Sequence, residues 1–189
     1  MKSGRHSGNS IRKGFADDVL DESGINALIA LCNTTGAEGM VAKGMVAHKF
    51  RRSDIAWVPR SPEYEGLYDH IWNLALAFNS RYFGFELTGF DSQMQVARYD
   101  AAREGGYDWH IDFGPGAQSR KLSLSVQLSK PDAYEGGDLE FDVGLGPKSA
   151  GRACGLAITF PSFIRHRVTP VTRGVRCSLV AWLSGPRFR

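Results

Sequence analysis

Between Leu122 and Leu128 the chain alternates without a break. Leu122, Leu124, Val126 and Leu128 are apolar, and Ser123, Ser125 and Gln127 stand between them. A period of two sends successive side chains to opposite faces, so the segment predicts a strand with one apolar and one polar face. Val175–Leu183 carries the same period: Val175, Cys177, Leu179, Ala181 and Leu183 on one face, Arg176, Ser178, Val180 and Trp182 on the other. Gln93–Tyr99, Asp138–Phe141 after Gly136-Gly137, Gly155–Phe160 and Arg167–Thr169 supply further short strands. Two segments have helical spacing instead. Asp21 is placed to cap a helix running to about Asn33, with Ile25, Leu28, Ile29 and Cys32 on one face. Ser61-Pro62-Glu63 opens a second, with Leu67, Ile71, Leu74 and Phe78 recurring up to about Arg81. Strands joined by Gly and Pro turns, with no helices between them, predict a mainly β fold: a sandwich or jelly roll with two flanking helices.

Composition narrows the class without naming a function. The 189 residues are 42% hydrophobic and 23% charged, ordinary values for one globular domain. A net charge of +3 does not by itself point to nucleic acid. The apolar runs, such as Ile25–Cys32, are too short to span a bilayer. Cys32, Cys154 and Cys177 are scattered, with no CxxC pair, which reads as reduced thiols in a cytoplasmic protein. Residues 1–14 are polar, basic and without an apolar stretch. They read as a flexible arm ahead of a single domain at 15–189.

The chemistry concentrates in Tyr99–Asp112, which reads YDAAREGGYDWHID. His110-x-Asp112 on a strand would put an imidazole and a carboxylate on one side. Taken alone, the pair is more often a hydrogen-bonded couple than a metal site. His166 follows 54 residues after Asp112, and Arg176 ten residues after His166. Two histidines and one carboxylate, with positions left open, make the facial triad of non-haem Fe(II) sites. Zinc could use the same three ligands, but Arg176 would then have no task. An arginine facing away from an apolar strand face must reach water or a buried anion, and its fork suits a carboxylate.

These four residues in order, with the Gly-Gly strand between them, resemble the Fe(II)/2-oxoglutarate dioxygenases. YDAAREGGYDWHID is similar to a segment of the prolyl 4-hydroxylase-like branch. EGGDLEF and HRVTPVTRGVRCSLVAW are similar to segments of its bacterial PKHD-type members. The resemblance spans roughly residues 90–185 and implies a double-stranded β-helix core. It implies Fe(II) held by His110, Asp112 and His166, and 2-oxoglutarate bound through its distal carboxylate by Arg176. Tyr99 would lie in the cosubstrate pocket, and ascorbate would be an accessory reductant. Thr169 and Ser178 are further candidates for hydrogen bonds there. Gln127 stands where some relatives carry Tyr. The implied reaction couples decarboxylation of 2-oxoglutarate with O2 to hydroxylation of an unactivated C–H, first of all in a peptidyl side chain such as proline. A free amino acid or other small metabolite is the alternative substrate. A nucleic-acid demethylase fits less well, because Arg187 lies beyond Gly185-Pro186, and a non-catalytic jelly-roll module would leave the four residues without purpose.

The other polar residues have simpler readings. Tyr107 and Trp109 read as packing, Glu104 and Asp108 as solvated loop charges, and Asp138 and Glu140 as surface. Cys177 reads as a small core residue and His70 as a packed histidine. Residues 43–60, with Arg51, Arg52, Trp57 and Arg60, read equally well as a substrate-contacting segment or an ordinary edge strand.

Overall fold

In the computed structural model the described residues are 14–16, 18–38, 50–144 and 146–188. The basic arm up to Lys13, and residues 43–49 of the proposed substrate segment, lie outside them.

Fourteen strands and two helices are described. They are β1 (Gly14–Ala16), α1 (Glu22–Thr35), β2 (Ala37–Glu38), β3 (Arg51–Arg52), β4 (Asp54–Trp57), α2 (Pro62–Phe78), β5 (Gly89–Phe90), β6 (Gln95–Asp100), β7 (Gly106–His110), β8 (Arg120–Gln127), β9 (Tyr134–Gly136), β10 (Leu139–Asp142), β11 (Pro147–Ser149), β12 (Ala157–Pro161), β13 (His166–Val168) and β14 (Val171–Ser184). The larger sheet runs β1-β12-β8-β14-β6-β4-β2, with β5 and β9 also paired to β14. The smaller runs β11-β10-β13-β7-β3. Every pairing described is antiparallel. This is the jelly-roll arrangement expected from the pattern.

The period of two sets the layers. Leu122, Leu124 and Val126 of β8, with Cys177, Leu179, Ala181 and Leu183 of β14, face outward onto the helices. There they pack with Ile25, Leu28 and Cys32 of α1 and Tyr68, Ile71 and Ala75 of α2. Burying such side chains stabilises by about 1.5–3 kcal/mol each. The opposite faces look across at the smaller sheet. Ala97, Tyr99, Ile158 and Phe160 from one side meet Leu139, Phe141 and Val168 from the other. The polar face of β8 and the Arg176 face of β14 therefore point between the sheets.

The helices differ from expectation at their ends. Asp21 does cap α1, accepting from Gly24 N–H at 2.8 Å. The helix runs on to Thr35, where the Thr34 and Thr35 hydroxyls bond back to carbonyls of the preceding turn. Helix α2 starts at Pro62, yet Ser61 makes no side-chain cap. It gives way at Asn79 to a single π-turn, Asn79–Phe83, closed by the Gly84 N–H on the Asn79 carbonyl at 2.7 Å, while the Asn79 side-chain amide is held by both backbone groups of Phe85. His70 is exposed rather than packed; Tyr68 and Ile71 occupy the buried stripe instead.

Candidate active site

His110 ends β7 and His166 begins β13, and the two are cross-strand partners in the smaller sheet. Their ring centroids lie 4.1 Å apart. Each ring places Nδ1 against a backbone carbonyl two residues earlier: Asp108 at 2.7 Å and Ile164 at 2.9 Å. A carbonyl only accepts, so Nδ1 carries the proton and Nε2 turns its lone pair into the space between the rings. That assignment is inferred from the hydrogen-bond pattern.

Asp112 completes the cluster, but not from a strand. The strand ends at His110, and Asp112 sits in the following extended segment. Its N–H and that of Phe113 both bond the Ser162 carbonyl, at 2.9 and 3.1 Å. This contact, not strand pairing, holds the carboxylate on the His110 side. Asp112 Oδ1 lies 3.7 Å from His110 Nε2, and Oδ2 lies 3.6 Å from His166 Nε2. One donor atom from each residue falls within 4.8 Å of the others. Ser123 Oγ donates to Asp112 Oδ2 at 2.6 Å and touches Ser162 Oγ at 3.0 Å.

Electrostatics suits a cation. Burial, helped by the neighbouring His166 and Arg51, pushes His110 down to about 3, so it is neutral at pH 7. Burial alone would raise the Asp112 carboxyl. His166, His110 and the Ser123 hydroxyl outweigh it and hold the acid below its ordinary value. Two histidine Nε2 atoms and a carboxylate oxygen thus converge on one point, and this N2O donor set suits Fe(II).

Arg176 lines the same cavity, with Tyr99, Ser123, Ser125, Ser178, Val180 and the triad. It is 1% exposed, and no carboxylate lies within ion-pair distance of it among the described residues. Nη2 donates to Gln127 Oε1 at 2.9 Å and Nη1 to Ser178 Oγ at 3.3 Å, while buried Nε has no partner. A buried guanidinium with an idle N–H and no counter-ion is a seat for a carboxylate. Tyr99 is its cross-strand partner, with the ring 5.4 Å from the guanidinium carbon. Gly136 and Gly137 have φ of +66° and +63°. A Cβ on Gly137 would come within 3.0 Å of Arg176 Cδ, so the Gly-Gly turn lets the arginine through.

The cavity walls match the sequence expectations unevenly. Ser178 is in the cavity; Thr169 is not, since its hydroxyl accepts from Asp138 N–H on the outer rim. Tyr107 is more than packing: its ring stacks on His110 at 3.5 Å, and burial pushes its phenol up to about 12. Trp109 does pack, on the outer face between Arg165 and Arg167. Of the 43–60 segment, Arg51 and Trp57 line a groove of about 820 Å³ that opens onto His110 and Asp112. Arg52 instead pairs with Glu104 outside, and Arg60 lies over Tyr68. Arg51 donates to Ser53 Oγ and to Gln95 Oε1, both at 2.7 Å, tying β3 of the smaller sheet to β6 of the larger.

A family model described as the 2OG-Fe(II) oxygenase superfamily matches residues 94–184. The matched segment, just under half of the chain, holds the triad, Arg176, Gln127 and Tyr99. A PKHD-type hydroxylase of Teredinibacter turnerae is 37% identical over 93 residues, covering 46% of this chain and 41% of that protein. One of Thermosynechococcus vestitus is 39% identical over 92 residues, covering 46% and 40%. The matches thus reach about two fifths of the length of these curated relatives. The fold is similar to that of a Pseudomonas putida prolyl-4-hydroxylase. The TM-score is 0.75 at 20% identity, over 93% of this chain and 94% of that one. A prolyl hydroxylase of Trichoplax adhaerens, solved with a hypoxia inducible factor peptide fragment, gives a TM-score of 0.75 at 18% identity, over 93% and 84%. The core is the double-stranded β-helix.

Proposed function

We propose that this protein is an Fe(II)- and 2-oxoglutarate-dependent dioxygenase that hydroxylates an unactivated C–H of a peptidyl side chain such as proline. The observation that carries this reading is the shared cavity: three convergent donor atoms and a buried arginine without a counter-ion. His110, Asp112 and His166 would hold the iron, and Arg176 the distal carboxylate of 2-oxoglutarate. Once bound, this pair supplies with O2 the oxidising power to replace C–H by C–OH, releasing succinate and CO2. The chain's own part is placement. Ser123 fixes the Asp112 carboxylate, and the two backbone carbonyls fix the imidazole tautomers. Tyr107 and the apolar inter-sheet wall keep water from the triad.

The groove supports a peptide. Trp57 and Ile111, 44% and 47% exposed, offer apolar surface in the groove that opens onto the triad. The likeness to the two prolyl hydroxylases points the same way. One observation favours the alternative, a free amino acid or other small metabolite. Arg51 faces the groove as a cation with no carboxylate partner among the described residues. A cytoplasmic location is supported by three unpaired thiols, two of them buried. We take residues 15–189 as one catalytic domain, and no helix described is long and apolar enough to cross a membrane.

The test is anaerobic. Fe(II) and 2-oxoglutarate added to the metal-free protein are expected to give the weak visible charge-transfer band of the chelate. His166→Ala should lose the band, and Arg176→Ala should need far more 2-oxoglutarate to develop it. A wild-type protein that binds zinc but gives no band overturns the reading. Proline peptides with blocked ends, set against free amino acids, then decide the substrate by succinate release.

A further inference from the structure

Gln127 sits on the cavity face of β8, 1% exposed, directly across from Ser178 of β14. Its amide is held at both ends. Nε2 donates to the Gly151 carbonyl at 3.2 Å, and Oε1 accepts from Arg176 Nη2 at 2.9 Å. Turning the amide over would set its NH2 against guanidinium donors and its oxygen against a carbonyl, losing both bonds. The Oε1 end therefore faces Arg176. The second restraint on the guanidinium, Ser178 Oγ at 3.3 Å, is long, and Nε has no partner. Gln127 is thus the shortest polar contact that orients Arg176.

We propose that Gln127 is the positioning residue that aims Arg176 into the cavity and so sets the affinity for the distal carboxylate of 2-oxoglutarate. The proposal rests on the oxygenase reading above. A tyrosine here would present a hydroxyl able to donate to the carboxylate itself. The Gln127 oxygen can only accept, so its effect must pass through Arg176. The alternative is that Gln127 competes with the carboxylate for Nη2, in which case removing it would tighten binding. Charge-assisted hydrogen bonds between buried groups are strong enough for the two cases to separate clearly.

The experiment uses the full chain, loaded anaerobically with Mn(II) and titrated calorimetrically with 2-oxoglutarate and, separately, with pyruvate. Pyruvate shares the keto-acid end and lacks the distal carboxylate. Gln127→Leu should weaken 2-oxoglutarate binding by about tenfold or more. Gln127→Glu should weaken it further, because its carboxylate pairs with Arg176. Gln127→Asn, one methylene shorter, should fall between wild type and Leu. Pyruvate and Mn(II) affinities should stay the same throughout. Unchanged or tighter 2-oxoglutarate binding in Gln127→Leu overturns the proposal, and so does a parallel loss of pyruvate binding. A wild-type protein that takes up Mn(II) but not 2-oxoglutarate instead overturns the oxygenase reading beneath it.

Discussion

His110 and His166 face each other across the β7–β13 pairing with their ring centroids 4.1 Å apart. Each holds its Nδ1 proton on a carbonyl two residues back. The same local device, used twice, leaves two Nε2 lone pairs beside one carboxylate. His166 is also a buried ring packed 4.7 Å from Phe160, so removing it should weaken the metal-free fold as well as the site. His166→Ala is expected to lower Mn(II) or Fe(II) affinity by at least about 100-fold, more than loss of a supporting group would. The melting temperature of the metal-free protein should fall by a few degrees. Metal titration and a thermal melt of the same sample check both halves; retained metal affinity would remove His166 from the ligand set.

Ser123 reaches the His110–Asp112–His166 cluster through Asp112, at 2.6 Å. Ser123→Ala frees one carboxylate oxygen to rotate and leaves the Ser162 hydroxyl without that neighbour. Groups that orient a ligand typically contribute about 10–100-fold in metal affinity. The expected result is a loss in that range for Mn(II), with 2-oxoglutarate binding at saturating Mn(II) nearly unchanged. Equal metal affinity in both proteins would show that the Ser162 carbonyl contacts alone fix Asp112.

Local periodicity made part of this architecture legible. The alternation in Leu122–Leu128 and Val175–Leu183 assigns faces correctly, and with them the inward direction of Arg176, because strand faces follow from the chain alone. The four spaced residues bring the site into view for the same reason. What stayed hidden depends on contacts distant in sequence. Asp112 is held by the carbonyl of Ser162, fifty residues on, and no local pattern records that. Arg51 gains meaning only when Gln95 and Tyr107 close around it. Strands of two or three residues, such as β3, β5 and β9, are set by pairing to longer partners and carry no period to read.

The three thiols should differ sharply in reactivity. Cys32 and Cys177 are 2% and 3% exposed, and burial pushes the Cys32 thiol up to about 11. Cys154 is only half-buried, though its thiol is also raised by partial burial. Thiolate is the reacting form, so at pH 8 all three are slow and Cys154 is the first to be alkylated. Mass spectrometry after limited iodoacetamide treatment should find Cys154 modified before the other two. Early labelling of Cys32 would mean that α1 does not cover the larger sheet as described.

Gly137 lets Arg176 pass, and its replacement tests that passage. At φ +63° an alanine is strained by roughly 1–2 kcal/mol, and its Cβ would press on Arg176 Cδ from 3.0 Å and on Val171 from 2.9 Å. The arginine is pinned at its far end by Gln127 and Ser178, so the push from Gly137→Ala must tilt the guanidinium rather than slide it along the strand. A tilted fork loses its two-point grip on a carboxylate. Gly137→Ala is therefore expected to keep Mn(II) affinity, to melt a few degrees lower, and to bind 2-oxoglutarate at least about tenfold more weakly. Gly144→Ala supplies the comparison: its φ is +84° but nothing lies within 4 Å of the added methyl. If both variants lower stability and only Gly137→Ala loses 2-oxoglutarate, the steric route to Arg176 holds. If both lose it equally, the effect is backbone strain alone and the Gly-Gly turn has no special claim on the arginine.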